Sequence, residues 1–140
     1  MAKIKDLINN GFNSINKQEG IYIVKAPKDF KVNFTFNMLN KTCPCYCIKD
    51  LDDKYNKTKD KEILYIGKSV NLRKRIKQYI NYGLNKNKIH KGGRAIFQIK
   101  NYTELEIEYY YCAPSKDCEK QALKNYLQYN GVLPLANWTL

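Results

Sequence analysis

The sequence predicts a mixed α/β chain of the α+β kind, on three observations. Residues 20–24 and 62–67 are short apolar runs rich in β-branched and aromatic side chains. Residues 104–112 alternate Leu105, Ile107, Tyr109 and Tyr111 against Glu104, Glu106, Glu108 and Tyr110, the two-residue period of an amphipathic strand. Helical periodicity sits between and after these segments: Leu72, Ile76, Tyr79 and Ile80 share one face of a strongly basic stretch. A chain of 140 residues with no visible linker reads as one domain, 1–140, large enough for a sizeable core.

In order along the chain, residues 3–10 read as a short helix on Ile4, Leu7 and Ile8, stopped by Gly11. After the strand at 20–24, residues 28–39 alternate Phe30, Val32, Phe34 and Phe36 with Lys31, Asn33 and Thr35, so a half-buried strand is expected. Residues 49–61 are densely charged and expected to be loop. Gly67 offers the backbone freedom for a sharp turn, and Ser69 or Asn71 can cap the basic helix that follows. Residues 81–93 are polar and hold the only histidine, His90, before Gly92-Gly93; 94–99 suit a short strand or helix. Ser115 is placed to cap a helix to about Asn130, with Gly131 as its stop, and 131–140 form an extended tail.

Charge narrows the function. The net charge is +12, yet between Glu62 and Glu104 there is no acid and there are ten cations, so nearly the whole excess lies in one interval. That pattern favours a polyanion, with nucleic acid the commonest. The N-terminus lacks a secretory pattern and no long apolar run follows, so a soluble, cytoplasmic protein with no membrane partner is expected. The five cysteines do not look like a disulfide framework, and reduced packing cysteines are the default reading. A zinc or redox protein built on Cys43, Cys45 and Cys47 is a weaker alternative, because the spacing lacks the usual CxxC knuckle.

Two side chains do not fit a purely structural account. Arg75 falls on the apolar face of the basic helix, where a guanidinium needs an anion. Glu119 lies on the inward stripe with Ala122, Leu123 and Tyr126. It could simply favour the helix dipole. As a lone inward carboxylate it could instead share one magnesium ion with waters and a substrate phosphate.

Gly20-Ile21-Tyr22 and Tyr65-Ile66-Gly67, the basic helix with Arg75, inward Glu119 and near-terminal Asn137 together resemble the GIY-YIG nucleases. The resemblance covers roughly residues 20–138. It implies a small three-stranded antiparallel sheet flanked by helices and divalent-metal (Mg2+ or Mn2+, one ion) hydrolysis of DNA phosphodiesters. Carried over, Tyr22 and Tyr65 would flank the scissile phosphate, with Tyr22 the general base. Lys68 and Arg75 would stabilise the phosphate, Glu119 would bind the metal and Asn137 would support the site. His90 could take a proton or touch phosphate. Lys68, Arg73, Lys74, Lys77, Lys88, Lys91 and Arg94 would contact the nucleic acid. Family members usually join the two tripeptides by a short hairpin; here an insertion at about 25–60 intervenes. Either it projects from the sheet, or Tyr46 replaces Tyr22. A restriction-like or structure-selective endonuclease, monomeric or homodimeric, is thus expected. The alternative is a nucleic-acid-binding module that kept the fold without the chemistry.

Overall fold

The computed structural model describes residues 1–36, 46–84 and 92–140. Within them the elements run β1 (Ala2–Lys3), α1 (Ile4–Asn10), β2 (Gly20–Lys25), α2 (Ile48–Lys57), β3 (Ile63–Ser69), α3 (Leu72–Gly83), β4 (Glu106–Tyr111) and α4 (Ser115–Asn130). Two short 3-10 turns, Arg94–Gln98 and Tyr102–Glu104, lie between α3 and β4.

The described strands form one antiparallel sheet in the order β1-β4-β2-β3. It has four strands rather than three, because the first residues add a two-residue strand along β4, with Ala2 opposite Ile107. β2 is central: Tyr22 faces Gly67 on one side and Tyr109 on the other. Strand alternation then turns Tyr65 and Gly67 toward the face that meets α3. Ile66 and Lys68 turn toward the face that meets α4.

Both helices follow their sequence logic. Leu72, Ile76, Tyr79 and Ile80 are all fully buried, and the Asn71 side chain accepts from the Lys74 amide as the cap of α3. Gly131 closes α4 in the left-handed conformation, φ 76°. The cap of α4 is not its own serine: Ser115 is the first helical residue, and its amide donates to Glu19 Oε2 at 2.7 Å. A carboxylate from the loop before β2 therefore does what Ser115 was expected to do.

Residues 28–36 do not join the sheet. They run extended against the first 3-10 turn, with Thr35 N donating to Gln98 O and Lys100 N to Asn33 O, and one isolated bridge from Phe34 to Ile99. Phe30, Val32 and Phe34 pack on the core while Phe36 stays exposed. The alternation is real, but an extended segment can bury one side without a neighbouring ladder. The expected strand's last residues, 37–39, lie outside the described residues.

The charged stretch after them is helix, not loop. Leu51 is fully buried and Tyr55 packs on the core one turn later. Asp50 near the start and Lys54 and Lys57 near the end suit the helix dipole. The described residues of the 25–60 stretch thus pack against the body through Phe30, Val32, Phe34, Leu51 and Tyr55.

The cysteine expectation also changes. Cys112 and Cys118 are disulfide-bonded, linking the end of β4 to the first turns of α4, and Cys47 is free and exposed. Cys43 and Cys45, on which the zinc alternative rested, lie outside the described residues. No helix among the described residues is long and apolar enough to cross a membrane.

Candidate active site

Three tyrosines stack where β2, β3 and α3 meet. Ring centroids of Tyr22 and Tyr65 lie 5.8 Å apart, Tyr22 and Tyr79 5.9 Å, and Tyr65 and Tyr79 5.6 Å. Gly67 is explained by this stack rather than by a turn. It sits within β3, where a Cβ would come 2.5 Å from Tyr22 Cζ, so a side chain there would displace a buried ring. Gly92 and Gly93 cover the stack from outside. A Cβ on Gly92 would meet the Tyr65 hydroxyl at 2.6 Å, and the Gly93 carbonyl accepts from Tyr79 Oη at 2.7 Å.

Burial separates the two motif tyrosines. Tyr22 has no exposed surface; its hydroxyl lies beside Tyr65 and Arg75 without reaching good hydrogen-bond geometry with either. Desolvation raises its phenol above the ordinary value of 10, and the Arg75 charge opposes that rise without cancelling it. Tyr65 is also pushed up by burial, but it lines an open cleft. Of the two, Tyr65 is the one that borders the cleft, and Tyr22 lies behind it.

That cleft, about 370 Å³, lies along the outer edge of β3 and brings Tyr65, Lys68, Gly92, Glu119, Asn137 and Trp138 together. Lys68 Nζ is 3.6 Å from Glu119 Oε1, with the side chains 42% and 20% exposed. Burial raises the Glu119 carboxyl above its ordinary 4.5, while Lys68 pulls it down. Asn137 does not face outward. Its amide accepts from Ile66 N and donates to Ile66 O, both at 2.9 Å, as a neighbouring strand would. It fixes the backbone between Tyr65 and Gly67. Arg75 opens onto an adjoining cleft with Lys68, Lys74 and Gln78.

The remaining predicted contacts divide. Lys74 and Lys77 are exposed on α3. Arg73 is not available in the expected way: its guanidinium donates to Ile15 O at 2.6 Å and Asn13 O at 3.0 Å, pinning the loop before β2 to α3. Arg94 donates to Tyr46 Oη and lies over that ring at 5.5 Å. Lys88, His90 and Lys91 lie outside the described residues.

Sequence reasoning passed over Lys54, which donates to the Asn137 carbonyl and sits 3.8 Å over the Trp138 ring. No local pattern could have signalled it, since the partners are 83 positions apart. Tyr46, the alternative first tyrosine, is not in the sheet. Gln98 holds it by its backbone, accepting from Tyr46 N at 2.7 Å and donating to Tyr46 O at 2.9 Å. The strand beside β3 is β2, so Tyr22 occupies the position opposite Gly67.

Could the cleft take a divalent ion? Among the described residues no three His, Cys, Asp or Glu side chains converge. One half-buried carboxylate bordering open space fits an ion that keeps most of its waters and completes its shell with substrate phosphate.

Fold and cleft thus define a class: a basic α/β domain whose sheet edge presents charged groups suited to a phosphate. A family model described as the UvrC-like GIY-YIG domain matches residues 45–108, a span holding Tyr46, Tyr65, Lys68 and Arg75. That match supports membership of the GIY-YIG nuclease superfamily, whose members are generally endonucleases that use divalent metal ions. No curated protein and no solved structure matches it.

Proposed function

We propose that this chain is a metal-dependent DNA endonuclease whose reaction centre is the cleft at the edge of β3. The observation that carries the reading is the meeting of Lys68 and Glu119 beside Tyr65 at one place on that edge. Binding alone would need only the cations of α3. A carboxylate in a site for DNA repels the ligand, unless it holds something positive.

Hydrolysis requires a water oxygen to shed a proton to solvent as it attacks phosphorus, the opposite P–O bond to break and the departing oxygen to gain a proton. Arg75 suits bidentate contact with phosphoryl oxygens through its planar fork, and Lys68 adds a point charge. Tyr65, with its phenol pushed up by burial, keeps its proton and donates it as a hydrogen bond to a phosphoryl oxygen or to the attacking water. Glu119 would hold a divalent cation, whose chemistry there would be positive charge at the phosphate and acidification of water. Tyr22 backs Tyr65 from the interior, and Asn137 holds the strand that carries Tyr65.

The test is cleavage of supercoiled and branched DNA with magnesium and with EDTA, comparing Glu119→Ala with Lys74→Ala. Loss of the metal ligand removes several kcal/mol of transition-state stabilisation, so cleavage should fall about a thousandfold while DNA binding survives. Lys74→Ala should only weaken binding and reduce the salt slope by about one. Uncleaved substrates with magnesium and with manganese, alongside normal binding, would make the chain a binding module instead.

A further inference from the structure

One wall of the cleft is aromatic and has no part in the chemistry above. Trp138 lines the cleft with Lys68 and Glu119 and is 48% exposed. Its ring centroid lies 5.0 Å from that of Tyr46 at an interplanar angle of 35°. Lys54 stands over the indole, and Arg94 stands over Tyr46. Two rings and two cations therefore form a continuous row beside the candidate reaction centre.

The bland explanation is that Trp138 anchors the tail. The tail is already anchored without it. Leu135 and Ala136 are buried, Ala136 N donates to Leu64 O, and Asn137 clamps Ile66. An indole serving only as a plug would not leave half of itself in solvent. Lys54 is equally unexplained. Its partners are a carbonyl oxygen and the indole, and no carboxylate pairs with it among the described residues. Half-buried without a counter-ion, its ammonium is easier to deprotonate than usual, with a pKa of about 8. Such a cation at the rim of a cleft suits an incoming anion.

We propose that Trp138 and Lys54 form a nucleotide subsite for an unpaired base of the DNA strand: Tyr46 backs one face of the indole, the base takes the place that the Lys54 ammonium holds over the other, and the ammonium moves onto the flanking phosphate, with Arg94 behind Tyr46. This rests on the nuclease reading and sharpens its substrate class. In an intact duplex both faces of every base are covered by neighbouring pairs, so an aromatic wall gains nothing from it. A single-stranded, flapped or distorted nucleotide offers a free face. The preferred substrate is then DNA with an unstacked base beside the scissile phosphate, rather than a plain duplex site.

The sequence has one tryptophan among twelve tyrosines, so emission excited on the red side of the tyrosine band reports on this wall alone. On a Glu119→Ala chain, which should bind without cutting, a single-stranded oligonucleotide and its blunt duplex are titrated while label anisotropy follows binding and emission follows stacking. Single strand should quench the emission; duplex should bind with little change. Trp138→Ala should weaken single-strand binding about tenfold, Trp138→Phe should restore most of it, and Lys54→Met should lower the salt slope by about one. Single-strand binding that saturates without quenching, or that is unmoved by Trp138→Ala, overturns the subsite. If the unmodified chain still cuts DNA, only the subsite falls. If it neither binds nor cuts, the nuclease reading falls as well.

Discussion

The tyrosine stack and the cleft beside it share strand β3, yet they obey opposite rules. Tyr22 and Tyr79 have no exposed surface, and burial raises both phenols. Lys68 and Glu119, on the other face of the sheet, meet across a gap that water can enter. The tyrosines that make the motif recognisable are thus largely buried in packing, and the charged side chains gather at the edge they support. Tyr65 belongs to both regions, since its ring is in the stack and its surface borders the cleft.

The largest effect should come from breaking the stack. Tyr22→Ala empties a fully buried site and should cost about 3–5 kcal/mol in chemical denaturation. Tyr22→Phe should cost far less, because the lost hydroxyl makes no well-formed hydrogen bond with the neighbouring Tyr65 and Arg75. If Tyr22→Phe instead abolished cleavage in a fully folded protein, Tyr22 would be a reacting group and the division between the two regions would be wrong.

A smaller effect falls on the junction. Asn137→Ala leaves Ile66 N and O without their amide partner, and should cost about 1–3 kcal/mol. Because Ile66 lies between Tyr65 and Gly67, kcat should fall more than DNA affinity does. Equal losses in both would mean that the amide merely holds the tail.

The smallest effect is a pH dependence at the rim. Lys54 titrates at about 8 in the folded chain against an ordinary 10.5. Between those values the unfolded chain binds more protons than the folded one, so Lys54 makes stability rise with pH across that window. Thermal unfolding of the parent chain minus that of Lys54→Met should therefore improve from pH 8 to pH 10. A flat difference would show that solvent already reaches the ammonium.

Much of this was legible because local signals agreed. In α3 the apolar spacing, the Asn71 cap and the clean strand before it all specify one structure. β4 was legible for a similar reason, since its alternation runs uninterrupted. What could not be read depended on distant partners. α2 has one fully buried side chain, Leu51, among many charges, so its apolar stripe is too thin to recognise. Glu19 caps a helix that begins almost a hundred positions later. Arg73 and Arg94 look like their neighbouring surface cations until the fold supplies a carbonyl or a ring. Gly67 was seen correctly as necessary but for the wrong reason, because the ring it accommodates belongs to another strand. In the site, Glu119 and Lys68 could be named from the resemblance, whereas Trp138 and Lys54 become neighbours only when the tail crosses the insertion.

The clamp of Asn137 on Ile66 has a consequence for the life of the protein outside its reaction. β3 is the last strand of the sheet, and a bare border of that kind invites another chain to continue the ladder. With Ala136 and Asn137 laid along it, the border is closed by a single short stretch. A lesion that lifts this stretch would both misalign the cleft and expose a sticky seam. Loss of activity and gain of self-association should then appear together in variants of the tail.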